Sequence, residues 1–136
     1  MFDQNTKILV IDDMTTMRTI MRKFLGELGF IDLLEASDGA EGWDRITRGP
    51  GIELVISGWY MPKSTGLDLL SRVRADSRFK TLPFLLVTDD SMLTNARAAL
   101  EAGVDGFVLK PFAKETLRLK LGEMHARRAA RSRWVG

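Results

Sequence analysis

The most constraining stretch of the chain is Leu54-Val55-Ile56-Ser57-Gly58-Trp59-Tyr60-Met61-Pro62. Leu54, Val55 and Ile56 form an unbroken apolar run instead of an alternating one, so the four residues through Ser57 read as a strand covered on both faces. Strands of that kind belong to parallel sheets with helices on either side. Gly58 and Pro62 break the run into a loop, and the carboxyl edge of an open parallel sheet is where ligands and chemistry gather. Gly58 is thereby placed at that edge.

Three other strands deliver polar groups to the same edge. Lys7 to Ile11 ends in Asp12-Asp13, Leu85-Leu86-Val87 ends in Thr88, and Gly106 to Leu109 ends in Lys110-Pro111. Paired carboxylates, a hydroxyl and a lysine on one rim suit a divalent cation and a phosphoryl group. The carboxylate that should complete the set is missing at Gly58. Neighbouring Ser57 is no substitute, because side chains alternate along a strand and its hydroxyl points to the other face.

Around these strands the chain alternates strand and helix five times. Met17, Ile20, Met21, Phe24, Leu25 and Leu28 recur at helical spacing as a core stripe, and Gly29 closes that helix. Ile31 to Glu35 reads as the second strand. Ser37-Asp38 start a helix running to about Arg48, before the break at Gly49-Pro50-Gly51. Leu67 to Arg74 forms a third helix introduced by Gly66, residues 75–81 are irregular, and Pro83 opens the fourth strand. Ser91 to Ala102 makes an alanine-rich fourth helix ended by Gly103. Right-handed crossovers then give a doubly wound five-stranded parallel sheet of order 2-1-3-4-5 with five helices, flavodoxin-like in outline.

Length and composition allow one such domain. The 136 residues are 45% hydrophobic and include no cysteine, which excludes a disulfide framework and thiolate metal sites. Met1 to Asn5 carries no basic region followed by an apolar run, and no stretch of about 18 apolar residues occurs. The expectation is a monomeric, soluble, cytoplasmic protein without membrane insertion. Charge is distributed unevenly. The net value is +2, yet residues 125–136 hold four arginines and no acid, which leaves 16 basic against 18 acidic residues elsewhere. An anionic partner is expected for the tail alone.

In the fifth helix Leu117, Leu121 and Met124 form the buried stripe, so residues 1–124 read as the domain and 125–136 as an arginine-rich extension. If the helix continues, Arg127, Arg131 and Trp134 share one side, whereas Arg128 falls on the line of the core stripe. That turn should therefore leave the domain or change course. Arginine forks pair with phosphate and with guanine O6 and N7, and tryptophan stacks on a base. Together they suit a small guanine nucleotide carrying more than one phosphate. The competing reading is a solvated, disordered terminus, in which His125 is also merely solvated.

Asp12-Asp13, VISGWYMP, VTDD and LKPF, in this order and spacing, resemble the receiver domains of the chemotaxis CheY type over residues 5–124. The resemblance implies that an aspartate at the position of Gly58 would accept a phosphoryl group. It also implies that Asp12 and Asp13 match residues that hold magnesium, and Thr88 and Lys110 residues that contact phosphoryl oxygens. The chain keeps those four and lacks the acceptor, so the pocket is expected to be degenerate, not phosphorylated, with Asp12 and Asp13 at most a weak remnant of a magnesium site. A cis Lys110-Pro111 bond and a partner-docking face on the fourth helix, fifth strand and fifth helix are implied too. Phe107 is there either a reporter of state or plain packing.

A CheY-like body followed by RRAARSRW is, further, similar to the Cle class of CheY-like effectors, which bind cyclic di-GMP through that extension and act at the flagellar motor switch. This implies cyclic di-GMP held by Arg127, Arg128, Arg131 and Arg133, with Trp134 capping a base, a tail that folds on binding, and a motor switch protein as partner. The alternative is an adaptor that uses the docking face without any nucleotide. Polynucleotide binding is disfavoured, since four arginines come without a DNA-reading motif. No nucleophile with its base, metal cage or phosphate-binding glycine loop points to an enzyme.

Overall fold

A computed structural model describes residues 1–49, 51–89 and 93–135, with the backbone alone for 93–94 and 132–135. Strands β1 (Lys7–Ile11), β2 (Asp32–Ala36), β3 (Leu54–Gly58), β4 (Phe84–Thr88) and β5 (Gly106–Leu109) form one sheet of order β2-β1-β3-β4-β5, every pair parallel. Helices α1 (Thr15–Glu27), α2 (Gly39–Arg48), α3 (Gly66–Ala75), α4 (Leu93–Glu101) and α5 (Lys114–Val135) connect and follow them. The doubly wound fold expected from the strand and helix alternation is the one observed.

Strand alternation divides the core into two. Ile8, Val10, Leu54, Ile56, Leu85 and Val87 face α1 and α5, where Met21, Leu25, Leu117, Leu121 and Met124 are buried. Leu9, Ile11, Val55, Phe84 and Leu86 face the other way, against Ile46 of α2, Leu69, Leu70 and Val73 of α3 and Ala99 of α4. Each such aliphatic side chain contributes about 1.5–3 kcal/mol by leaving water. Both faces of the central strand are thus covered, which is why its sequence is apolar without alternation.

Local expectations hold with four adjustments. The second strand begins at Asp32, because Ile31 lies outside the sheet and is 72% exposed. In α1, Ile20 is at the surface while Met21 and Leu25 carry the burial, so the stripe is narrower than its spacing suggested. The third helix runs Gly66–Ala75, one residue longer at each end than expected, and starts on a capping box: the Thr65 hydroxyl accepts from the Asp68 N–H at 3.1 Å and the Asp68 carboxylate accepts from the Thr65 N–H at 2.9 Å. The expected start of the fourth helix at Ser91 lies outside the described residues. The Lys110-Pro111 bond is cis, as the resemblance implied.

The fourth adjustment concerns the extension. Helix α5 does not break after Met124; it runs as one helix of 22 residues to Val135, about 33 Å long, and its Arg127 and Arg128 remain bonded to the domain. Arg128 tolerates its place on the stripe because its stem lies along the domain while its guanidinium reaches the polar groups of Asp105 and Thr81. Among the described residues, no helix is long and apolar enough to cross a membrane.

Candidate functional site

At the carboxyl edge of the sheet, the ends of β1, β3, β4 and β5 bring Asp12, Gly58, Thr88 and Lys110 to one rim. Asp12 is buried; its Oδ1 accepts from the Met14 N–H at 2.8 Å and its Oδ2 lies 3.4 Å from Lys110 Nζ. A Cβ built on Gly58 would stand 3.0 Å from that same Oδ2, so the missing side chain would have pointed at Asp12. Thr88 is buried at the end of β4, and Asp13 is exposed. The loop after β3 is fixed from the other side. The Gly66 N–H donates to the Trp59 carbonyl at 2.7 Å, and any side chain on Gly66 would overlap the Gly58 carbonyl.

Ser57 is fully buried, and its hydroxyl donates to the Gly58 carbonyl at 2.9 Å. It lies on the face shared with Val55, away from Asp12, as strand alternation requires. The rim is therefore a carboxylate and an ammonium closing on each other across a position without a side chain. A divalent cation of the magnesium type wants several oxygens in a tight shell. These residues do not fit one: Asp12 is engaged by Lys110 and a backbone N–H, Asp13 faces solvent, and Gly58 adds no carboxylate. Among the described residues, no group of three His, Cys, Asp or Glu side chains is placed to hold a metal.

A second polar constellation occupies the opposite edge, where the strands begin. Asp105 immediately precedes β5, and its side chain is only 6% exposed. A carboxylate so placed needs hydrogen-bonded counter-charges. Its Oδ2 accepts from Arg74 Nη2 at 2.8 Å and from the Phe84 N–H at 2.9 Å, and its Oδ1 accepts from Arg128 Nη1 at 2.8 Å. Arg74 also donates to the carbonyls of Gly103 at 3.0 Å and Leu82 at 2.8 Å. From α5, Arg127 donates to the Asp105 carbonyl and Arg128 to that of Thr81. Burial draws the Arg74 guanidinium below its usual pKa; Asp105 opposes that shift, and the positive charges of Arg128 and Arg131 add to it.

These groups floor a cleft of about 500 Å³ lined by Arg74, Lys80, Thr81, Gly103, Asp105, Arg128 and Arg131. Four cations face one carboxylate there. On the other side of Arg131 a second hollow of about 350 Å³ is bounded by Leu100, Val104 and Phe107 with Lys120 and Arg127. Arg131 thus borders both the cationic cleft and the surface made by α4, β5 and α5. Phe107 points inward, edge-on to Trp59 with ring centres 6.2 Å apart.

Of the residues expected from the sequence to hold a nucleotide, Arg127, Arg128 and Arg131 come together at this edge, the first two bonded to the domain. The side chains of Arg133 and Trp134 lie outside the described residues. Sequence reasoning missed Arg74, Lys80 and Asp105. One signal for Asp105 existed, a lone acid opening the apolar run Gly106-Phe107-Val108-Leu109, which a buried counter-charge must match. His125 is not merely solvated: it is half-buried, packs edge-on to Phe2 with centres 5.1 Å apart, and shares a hydrogen bond of 3.1 Å between its Nδ1 and the amino terminus.

The family model described as the response regulator receiver domain matches residues 8–122. The chain belongs to that family. The receiver is 41% identical over 115 residues to chemotaxis protein CheY1 of Helicobacter pylori, covering 85% of this chain and 93% of that one. It is 38% identical over 118 residues to a chemotaxis protein CheY homolog of Campylobacter jejuni, covering 87% and 91%. Among solved structures, chemotaxis protein CheY4 of Vibrio cholerae superposes on this receiver with a TM-score of 0.80 at 28% identity, over 88% of this chain and 98% of that one. The family match stops before His125, so the arginines of α5 lie beyond the receiver's matched span.

Proposed function

We propose that this receiver does not take up phosphoryl groups, and that it binds cyclic di-GMP through Arg127, Arg128, Arg131, Arg133 and Trp134 and signals by protein contact at the flagellar motor switch. The observation that carries the reading is Arg131. It projects from the last turns of α5 into a cleft already rich in cations, with no hydrogen-bond or ion-pair partner among the described residues. An arginine fork in that position is free for a phosphodiester oxygen or a guanine edge.

Loss of the acceptor at Gly58 supports the other half of the proposal, because glycine has no group to form an acyl phosphate and buried Ser57 faces away. A diffusible dinucleotide then replaces phosphorylation as input. Similarity to chemotaxis proteins supports a motility partner, and the sharing of Arg131 between the cleft and the α4–β5–α5 surface gives the ligand a route to it. Ligand binding shifts partner affinity only as far as it favours one arrangement of that shared surface. Calorimetric titration of the full chain with cyclic di-GMP, with GTP as control, tests the reading. Micromolar or tighter binding that Arg131→Glu abolishes supports it; equal affinity in the variant rules the extension out as the site.

A further inference from the structure

The extension does not form the cleft alone. Lys80 lies in the turn between α3 and β4, part of the receiver body, and lines the same space of about 500 Å³ as Arg131. Both side chains are exposed, and neither has a hydrogen-bond or ion-pair partner among the described residues. The carboxylate that could neutralise them is already spent. Asp105 gives one oxygen to Arg74 and the Phe84 N–H and the other to Arg128. Asp76, on the same turn, is held by Arg78 at 2.8 Å. The floor of the cleft, two guanidiniums on one carboxylate, is therefore tied down by that carboxylate and by backbone carbonyls, while its two rim cations have no counter-charge.

Resting on the cyclic di-GMP reading above, we infer that the ligand's phosphates are held jointly by Lys80 of the receiver body and Arg131 of the extension, so that the nucleotide bridges the α3–β4 turn to the end of α5. A cyclic dinucleotide suits this geometry. It carries two phosphodiesters on one compact ring, and the cleft falls within the range of about 300–1,000 Å³ usual for small-molecule sites. Arg74 is a positioning residue, since its three bonds to Asp105, Gly103 and Leu82 keep the floor in place. Binding draws the turn and the helix end together electrostatically, which one-sided capture by the tail would not do.

Calorimetry on the full-length protein, its Lys80→Glu and Lys80→Arg variants, with cyclic di-GMP and with inorganic pyrophosphate as a guanine-free probe, tests the bridge. Thermal melting of all three proteins should coincide, because Lys80 is exposed and partnerless. Cyclic di-GMP affinity is expected to fall at least about tenfold in Lys80→Glu and to stay within about threefold in Lys80→Arg. Unchanged affinity in Lys80→Glu overturns the bridge and leaves the extension as a nucleotide site on its own. Binding of pyrophosphate alone, lost in Lys80→Glu, upholds the bridge as an anion site and removes the nucleotide assignment. No binding of either probe to the unaltered protein overturns both.

Discussion

The two ends of the sheet carry charge in opposite ways. At the carboxyl edge Asp12 and Lys110 approach each other at 3.4 Å across Gly58, so that the buried charge there is matched by one partner. At the starting edge four cations surround a single carboxylate whose oxygens are already engaged. The first end has no side chain at Gly58, and on the proposed reading it is a receiver pocket without its acceptor. The second has gained residues from α5 beyond the span that the family model matches. On the proposed reading, the side-chain types kept at one end do not make it reactive, whereas the charge left uncompensated beside the cleft at the other gives an anion a place to bind.

The largest contrast is chemical. Incubated with acetyl phosphate, the protein should show no phosphoryl adduct by intact mass, because neither Gly58 nor Ser57 offers an acceptor at the rim. An adduct that maps to residues 57–58 would dissolve the distinction between the ends. Next comes stability. Asp105→Asn leaves Arg74 and Arg128 facing each other around a buried neutral group and should cost about 3 kcal/mol in urea unfolding. Asp12→Asn should cost only about 1 kcal/mol, since Lys110 sits at 3.4 Å and can turn to solvent. Equal costs would mean that the two ends are built alike.

Restoring a carboxylate sharpens the comparison further. Gly58→Asp places a third acidic group against Asp12, where its Cβ meets Oδ2 at 3.0 Å, and should make thermal stability respond to magnesium. At tenfold excess over its dissociation constant the ion would add about 1.4 kcal/mol, with no such rise in the parent protein. The smallest effect lies on the α3–β4 turn. Hydrogen bonds from Arg78 hold the Asp76 carboxyl down at about 2 against an ordinary 3.8. A depressed folded pKa contributes stability above the unfolded value, and that contribution is lost as pH falls from 3.8 through about 2. Asp76→Asn should flatten the acid-unfolding profile slightly within that window and change nothing at neutral pH.

Strand positions were legible because four of the five strands are apolar runs closed by glycine, proline or an acid, and burial on both faces leaves such runs little freedom. The exceptions are surface matters. Ile31 and Ile20 are apolar in sequence and exposed in the fold, and hydropathy alone does not distinguish them from core. The carboxyl-edge pocket was legible because its members follow strand ends directly. The cationic cleft was legible only from one side. Its extension stands out by charge, but Asp105 is 31 residues from Arg74 and 23 from Arg128, and no local pattern links them. The misfit of Arg128 on an apolar stripe was visible in the sequence; its resolution by a buried aspartate was not.

The most direct test of a signal input moved from one end of the sheet to the other is a backbone-amide NMR titration of the full chain with cyclic di-GMP. The account predicts saturable shifts concentrated at Lys80, Thr81, Gly103 and residues 127–131, with Asp13, Gly58 and Lys110 unmoved. Shifts centred on the carboxyl edge, or none at either edge at millimolar ligand, would contradict it.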